Sequence, residues 1–341
     1  MKKSLMTLGV LALFVLIAYG QEKKFALYSV AFYNMENLFD TIHDEGKNDY
    51  EYLPNGTNQW NTMKYKAKLK NMSEILSMLS TDKLPMGPAI IGVSEIENYR
   101  VLEDILKQPA LADKGYQYVH YEGEDRRGVD CAFFYNPKLF ELTNSKLVPY
   151  VYINDTVHKT RGFLIASGNI AGEKMHFIVN HWPSRAAASP ARERAGEQVR
   201  AIKDSLLKED SAAKIVIMGD MNDDPMDKSM AVALGAKRKP ADVGPTDLYN
   251  PWWDTLKKGY GTLMYKGKWN LFDQIVFTGN LLGTDRSTLK FYKHEIFRRD
   301  FMFQKEGKYK GYPKRTQAGG VWLNGYSDHL PTIIYLIKEV K

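Results

Sequence analysis

With 341 residues and 44% hydrophobic side chains, the chain has enough apolar content for one large α/β domain or two small ones. Its single cysteine, Cys131, excludes an intramolecular disulfide, so stability must come from burial. A net charge of +7 suits a polyanionic partner without requiring one. At the N-terminus, Lys2 and Lys3 precede an apolar stretch from Leu5 to Ala18 and a small residue at Gly20, the pattern of a secretory signal peptide over 1–20. That stretch is short of the roughly 20 residues a membrane span needs. Residues 21–341 are expected to be exported to a periplasm or secreted as one catalytic domain, monomeric and without a membrane anchor after cleavage. No Gly/Ser linker, low-complexity tract or internal repeat marks a boundary within them.

Strand-like and helical runs then alternate. Phe25 to Tyr33 is β-rich, and Tyr65, Leu69, Met72, Leu76 and Leu79 recur at helical spacing. Ala89 to Val93 and Val129 to Tyr135 read as buried strands, the second making Cys131 a small hydrophobe rather than a nucleophile. Leu139 to Tyr152 and Arg161 to Ile170 look like more exposed strands, and Met175 to Val179 like a core strand. Ser189-Pro190 opens a helix with a capping hydroxyl and a first-turn proline, its buried stripe being Ala195, Val199, Ile202 and Leu206. Strands follow at Ala213 to Met218, Leu271 to Thr278 and from Leu330 onward. Hairpins mixed with crossovers favour two packed mixed β-sheets flanked by α-helices over a purely parallel sheet.

Polar residues fall at the ends of these runs. Asn34 and Glu36 follow the first strand, Glu95 and Glu97 the second, and His181 the strand at Phe177. Asp220 and Asn222 end the strand at Ile215, Asp273 opens the next, and Asp328-His329 precede the last. Each alone reads as a turn former or helix cap. Together, acids, amides and imidazoles at sheet edges indicate a hard cation beside a proton-transfer group, and so a metal-dependent phosphoesterase.

These residues resemble the endonuclease/exonuclease/phosphatase superfamily, from Phe25 to the C-terminus. Gly219-Asp220-Met221-Asn222 and Ser327-Asp328-His329 carry the resemblance most strongly, followed by Asn34 and Glu95. Asn34-Met35-Glu36-Asn37-Leu38-Phe39-Asp40 and His181-Trp182-Pro183-Ser184-Arg185 bring it closest to a secreted bacterial branch. The resemblance implies a four-layer α/β sandwich. It makes Glu95 the main Mg²⁺ ligand, with Mn²⁺ as the alternative ion, and Asn34 and Asp328 completing the site. His329, oriented by Asp273, would activate or orient water or contact the phosphate. His181 would donate to a phosphate oxygen, while Asp220 and Asn222 would polarise the attacking water. Glu36 is expected to be a local cap and Glu97 not a ligand.

Three further candidates come from the residues themselves. Asp130 lies in an apolar strand, where an unpartnered carboxylate is costly, and is expected to pair with His181. Arg127 and Arg185 are candidate phosphate clamps, because guanidinium meets phosphate bidentately. The expected substrate is a nucleic-acid phosphodiester. The alternatives are an inositol or sugar phosphate or a phospholipid headgroup, with a non-catalytic binding protein on the same fold as the bland reading. Aromatic and basic residues mix in Tyr249 to Trp253 and Tyr265 to Trp269, fit either to stack bases or to pack loops.

Overall fold

The computed structural model describes residues 23–155 and 157–340; the expected signal peptide, 1–20, lies outside them. In chain order the elements are β1 (Lys24–Leu38), α1 (Thr62–Met78), β2 (Ile90–Ile96), α2 (Tyr99–Leu106), β3 (Gln117–His120), β4 (Asp130–Tyr135) and β5 (Glu141–Val148). They continue with β6 (Phe163–Ile170), β7 (Glu173–His181), α3 (Ser189–Glu209), β8 (Lys214–Asp220), β9 (Ala236–Lys237), β10 (Leu248–Tyr249) and α4 (Trp253–Lys257). The last are β11 (Leu263–Tyr265), β12 (Lys268–Asn270), β13 (Asp273–Thr278), β14 (Lys290–Ile296), β15 (Gln317–Ala318), β16 (Val321–Trp322) and β17 (Thr332–Val340). Six strands form one mixed sheet in the order β14-β17-β1-β2-β4-β3, and seven form another in the order β5-β6-β7-β8-β13-β10-β9.

Period-2 alternation explains the layering. In β1, Val30 and Phe32 join Ile90, Phe133, Phe177, Val216, Met218 and Ile275 in the core between the sheets. Their neighbours Ala31 and Tyr33 turn outward onto Leu69, Met72, Ile75 and Leu76 of α1 and Val101 and Ile105 of α2. On the other sheet Ile215 and Ile217 pack against Ala195, Val199 and Leu206 of α3. The order is helices, sheet, sheet, helix, the expected four-layer sandwich. Among the described residues no helix is long and apolar enough to cross a membrane.

Several local expectations change. The first strand does not stop at Tyr33 but runs to Leu38 through an irregular register, so Asn34 and Glu36 lie within it. The strand read as exposed at Arg161 to Ile170 is buried over most of its length, because Leu164 and Ala166 face the core between the sheets while Phe163 and Ile165 face the layer of α3. Only β5 has the exposed pattern. The cap of α3 is Ala188, with Ser189 and Pro190 inside the first turn and no side-chain cap bond. Trp252 is fully buried and donates its Nε1–H to Ile275 O, a packing role rather than a stacking one. Cys131 is buried, and burial pushes its thiol well up, as an inert core residue requires.

His294 on β14 packs edge-on against Trp252, with Nε2 at 2.9 Å from Thr255 Oγ1. Burial, with Lys258 nearby, lowers it from 6.5 to about 4. Between these values the unfolded chain takes up a proton that the folded chain refuses, so stability falls as pH drops from 6.5 towards 4. The window is worth at most about 3 kcal/mol. Urea unfolding of His294→Gln should show a flatter pH dependence there than the parent, and an unchanged slope would contradict this placement.

Candidate active site

Sheet topology gathers the polar residues at one end of the sandwich. β7 and β8 run parallel with His181 opposite Asp220, and β13 runs antiparallel with Asp273 also opposite Asp220. Three chemistry-bearing side chains thus stand abreast on neighbouring strands. Gly219 lets this happen, because a Cβ there would lie 2.3 Å from Asn180 O on β7.

The other sheet contributes through a bulge. Pairing of β2 with β4 slips between Ser94 and Ile96, leaving Glu95 as the extra residue with φ +58°. Bulges re-aim side chains beside active sites, and this one turns Glu95 towards the facing sheet. Asn34 Nδ2 donates to Glu95 Oε1 at 3.1 Å and to Asp220 Oδ2 at 3.0 Å, while Asn37 N–H donates to Glu95 Oε2. The amide oxygen of Asn34 accepts from Glu36 N–H at 2.8 Å. Asn34 therefore stands as a clamp between two carboxylates.

His329 closes the site from the loop before β17. Its N–H donates to Ser327 Oγ, and that hydroxyl donates to Asn34 O. Its Nδ1 sits 2.7 Å from Asp273 Oδ2, the expected pairing, leaving Nε2 at 3.8 Å from both Asp220 and Asp328. Burial alone would lower its pKa, but Asp273, Asp220 and Asp328 outweigh it and hold the imidazole well above its usual range. Asp220 is pushed up to about 7, by burial first. His181 goes the other way: burial, Arg161, Arg127 and His329 drive it well below normal, so it is neutral. Its Nε2 lies 3.6 Å from Glu95 and 3.7 Å from Asp220, while its buried Nδ1 has no partner.

Other expected residues land differently. Asp130 does not pair with His181. It lies 3.1 Å from His120 Nε2 and accepts from Gly123 N–H, because β3 brings His120 beside it. What packs by His181 instead is buried Arg161, which donates to Trp182 O and Asp125. Arg127 is half exposed with Nε 3.5 Å from Asp125. Arg185 is committed to Asp223, Asp224 and Asp227, so this expected phosphate clamp is already neutralised. Asn222, at φ +51°, donates Nδ2–H to Trp182 O and its N–H to Asp220 Oδ1, an Asx turn that also fixes the Asp220 carboxylate. Glu97, pushed up to about 9 by burial, accepts from Asp40 N–H and lies off the cluster.

Sequence reading missed a buried charge network beside the site. Glu36 is not a local cap: it accepts from Arg315 Nε at 2.8 Å and from Thr316 N–H. Lys68 Nζ lies 3.9 Å away and bonds Thr316 and Tyr326 O, and Arg315 Nη2 holds Asp328 at 2.9 Å. The available signal was Lys68 itself, a lysine on the apolar stripe of α1 between Tyr65 and Met72. Lys68→Met leaves Glu36 buried without its ammonium and should destabilise the fold by about 3 kcal/mol in denaturant melts. A loss below about 0.5 kcal/mol would show the pair to be unimportant.

The profile of the Endonuclease/Exonuclease/phosphatase family matches residues 29–338. No curated protein matches the chain. Among solved structures, an endonuclease/exonuclease/phosphatase family protein of Bacteroides thetaiotaomicron aligns with TM-score 0.58 and 15% identity over 94% of this chain and 98% of that one. A mannosyl-6-phosphatase of Bacteroides thetaiotaomicron gives 0.56 and 15% over 91% and 99%. D. rerio TDP2 complexed with a single-strand DNA product gives 0.53 and 15% over 91% and 99%. At such identities these likenesses establish the fold. With a family profile running through nearly the whole chain, the protein belongs to the endonuclease/exonuclease/phosphatase family, whose members hydrolyse phosphate esters.

Proposed function

We propose that this protein is a divalent-cation-dependent hydrolase that cleaves a phosphoester by in-line attack of water. The observation carrying the reading is the His181–Asp220–Asp273 row faced by Glu95, Asn34 and His329. The residues suit a hard cation. Glu95, His181 and Asp220 bring ligand atoms within 4.8 Å of one another, as do Asp220, Asp273 and His329. The buried Asp273 Oδ1 has no hydrogen-bond partner, so the cluster carries a carboxylate oxygen that the protein's own donors leave unsatisfied. Glu95 is the carboxylate best placed to hold Mg²⁺ or Mn²⁺, beside Asn34 and with Asp328 at the edge next to Arg315. A bound ion would draw charge from the phosphoryl oxygens.

The chain's own groups then divide the proton chemistry. Asp220, pushed up to about 7, is suited to take the proton of the attacking water at neutral pH, and Asn222 keeps its carboxylate oriented. Asp273 orients His329 through Nδ1, so its Nε2–H is aimed into the site. The neutral His181 has a buried Nδ1 without an acceptor, which favours the tautomer carrying the proton on Nε2. That N–H can donate to a non-bridging phosphate oxygen. Water forms the new P–O bond and gives its proton to Asp220, the ester P–O bond breaks, and the departing oxygen takes a proton from His329 Nε2.

On substrate, the basic balance of the sequence supports a nucleic-acid phosphodiester, and so does the likeness to a TDP2 solved with DNA product. The local surface supports a second reading, a compact phosphate ester, because Arg127, Arg161, Arg185 and Arg315 around the site are already paired with carboxylates. We also propose export after removal of residues 1–20; sequencing the mature protein should return Gln21 rather than Met1.

A panel of DNA, RNA, sphingomyelin, inositol and sugar phosphates, each with Mg²⁺ or with EDTA, tests the reaction class. At least one should be hydrolysed only with the cation, and His329→Ala should cut that rate by about 10²- to 10⁴-fold. Turnover that survives both EDTA and the His329 substitution would refute the proposal.

A further inference from the structure

Next to the catalytic rim lies a cleft of about 970 Å³ that the mechanism above does not use. Its inner end is made by Glu36, Asn37, Arg315 and Asp328, so it opens directly onto the proposed phosphate position. Three irregular segments wall it: the loop around Tyr52 and Trp60, the β11–β12 hairpin, and the excursion from Gln304 to Leu323. The walls are tied to the site. Leu263 on β11 bridges to His329, and Gly267 N–H donates to Tyr312 Oη.

Charge and surface chemistry say what fits there. Against Lys266, Lys308 and Arg315 the cleft sets Glu36, Glu51, Glu306 and Asp328, so it holds no excess positive charge for a run of phosphates. Arg315 is spent on Glu36 and Asp328, and Lys266 and Lys308 lie over the Tyr265 and Tyr309 rings at 5.3 and 5.5 Å. What the cleft does offer is rings. Tyr265 and Tyr309 are 62% and 49% exposed on its walls, with Tyr309 set edge-on to Tyr312 at 5.4 Å. Exposed rings beside a deep cleft provide faces for stacking a flat or ring-shaped group.

We infer that this cleft binds the uncharged, ring-bearing part of the substrate, a sugar or nucleoside joined through a single phosphate to the catalytic rim. This rests on the phosphoester-hydrolase reading. It narrows that reading to a free phosphate ester or a chain end, since the interior of a polynucleotide would carry further phosphates into a cleft that does not offset them. The two sources share one recognition chemistry, and substrate length separates them.

The test uses Tyr265→Ala and Tyr309→Ala, both at exposed positions outside the catalytic set. Binding of a hexose phosphate and of a mononucleotide is followed by calorimetry in EDTA. Turnover of the same compounds, of ring-free glycerol phosphate, of a single-stranded oligonucleotide and of closed circular DNA is followed with Mg²⁺. Each substitution should weaken binding, or raise KM, for a ring-bearing phosphate by about tenfold with kcat retained, the size of one lost stacking contact. Glycerol phosphate turnover should not change. Preference for the hexose phosphate identifies a free ester, and trimming of the oligonucleotide from one end identifies a chain terminus. Tyrosine-dependent binding without any turnover would uphold the cleft assignment while refuting the hydrolase reading. The inference is overturned if neither ring-bearing phosphate binds or turns over, if the substitutions affect glycerol phosphate equally, or if closed circular DNA is cut at a rate indifferent to both tyrosines.

Discussion

The amide of Asn34 joins the two sheets at the point where their charges meet. One NH₂ group donates to Glu95 from its own sheet and to Asp220 from the facing one, at 3.1 and 3.0 Å. Two carboxylates brought this close in a dehydrated setting repel each other, and such an array persists only when the surrounding structure over-determines it. Here that support is the sandwich core beneath, the glycine at 219 that lets β7 and β8 approach, and the bulge that turns Glu95 inward. Burial pushes Asp220 up to about 7, and the carboxylates of Asp273, Asp220 and Asp328 hold His329 protonated. The same crowding of charge that strains the protein suits it to a cation and to a phosphoryl group.

A second device lies one layer outward. Glu36, at φ +47°, reaches from the end of β1 to Arg315 and Thr316, far along the chain, and Lys68 supports it from α1. Burial pushes Glu36 up to about 7 and lowers Lys68 to about 8, with each partly offsetting the other. This buried network fixes the segment leading into Ser327-Asp328-His329. It therefore links the helical layer to the catalytic histidine and forms the floor of the aromatic cleft. Two jobs, holding Asp328 and closing the cleft, fall to the single guanidinium of Arg315.

Much of this was legible in the sequence because strands signal themselves by alternation and by where alternation stops. The runs at Ile215 and Ile333 form strands as their patterns predict, while the Asp273–His329 contact follows from the family resemblance, since strand position alone does not pair them. Pairings across the sheet were harder. Asp130 was assigned to His181 because an acid in an apolar strand needs a partner, but His120 on the neighbouring strand supplies it through a β3–β4 register that no local pattern encodes. The bulge at Glu95 and the extension of β1 past Tyr33 depend on positive φ at non-glycine residues, which only tertiary contacts stabilise. Of the cleft's exposed rings, Tyr265 belongs to the aromatic and basic run at 265–269 that the sequence marks for stacking or packing, whereas Tyr309 lies in an irregular segment that carries no such mark.

Whether the buried carboxylates hold a divalent cation can be asked without knowing the substrate. Calorimetric titration of Mg²⁺ and of Mn²⁺ into the folded protein should show binding that Glu95→Gln weakens by at least about tenfold, while Glu122→Gln, in the separate His120–Glu122–Asp130 cluster, leaves it unchanged. Binding that ignores Glu95 and disappears with Glu122 would place the ion elsewhere and contradict the account of this site.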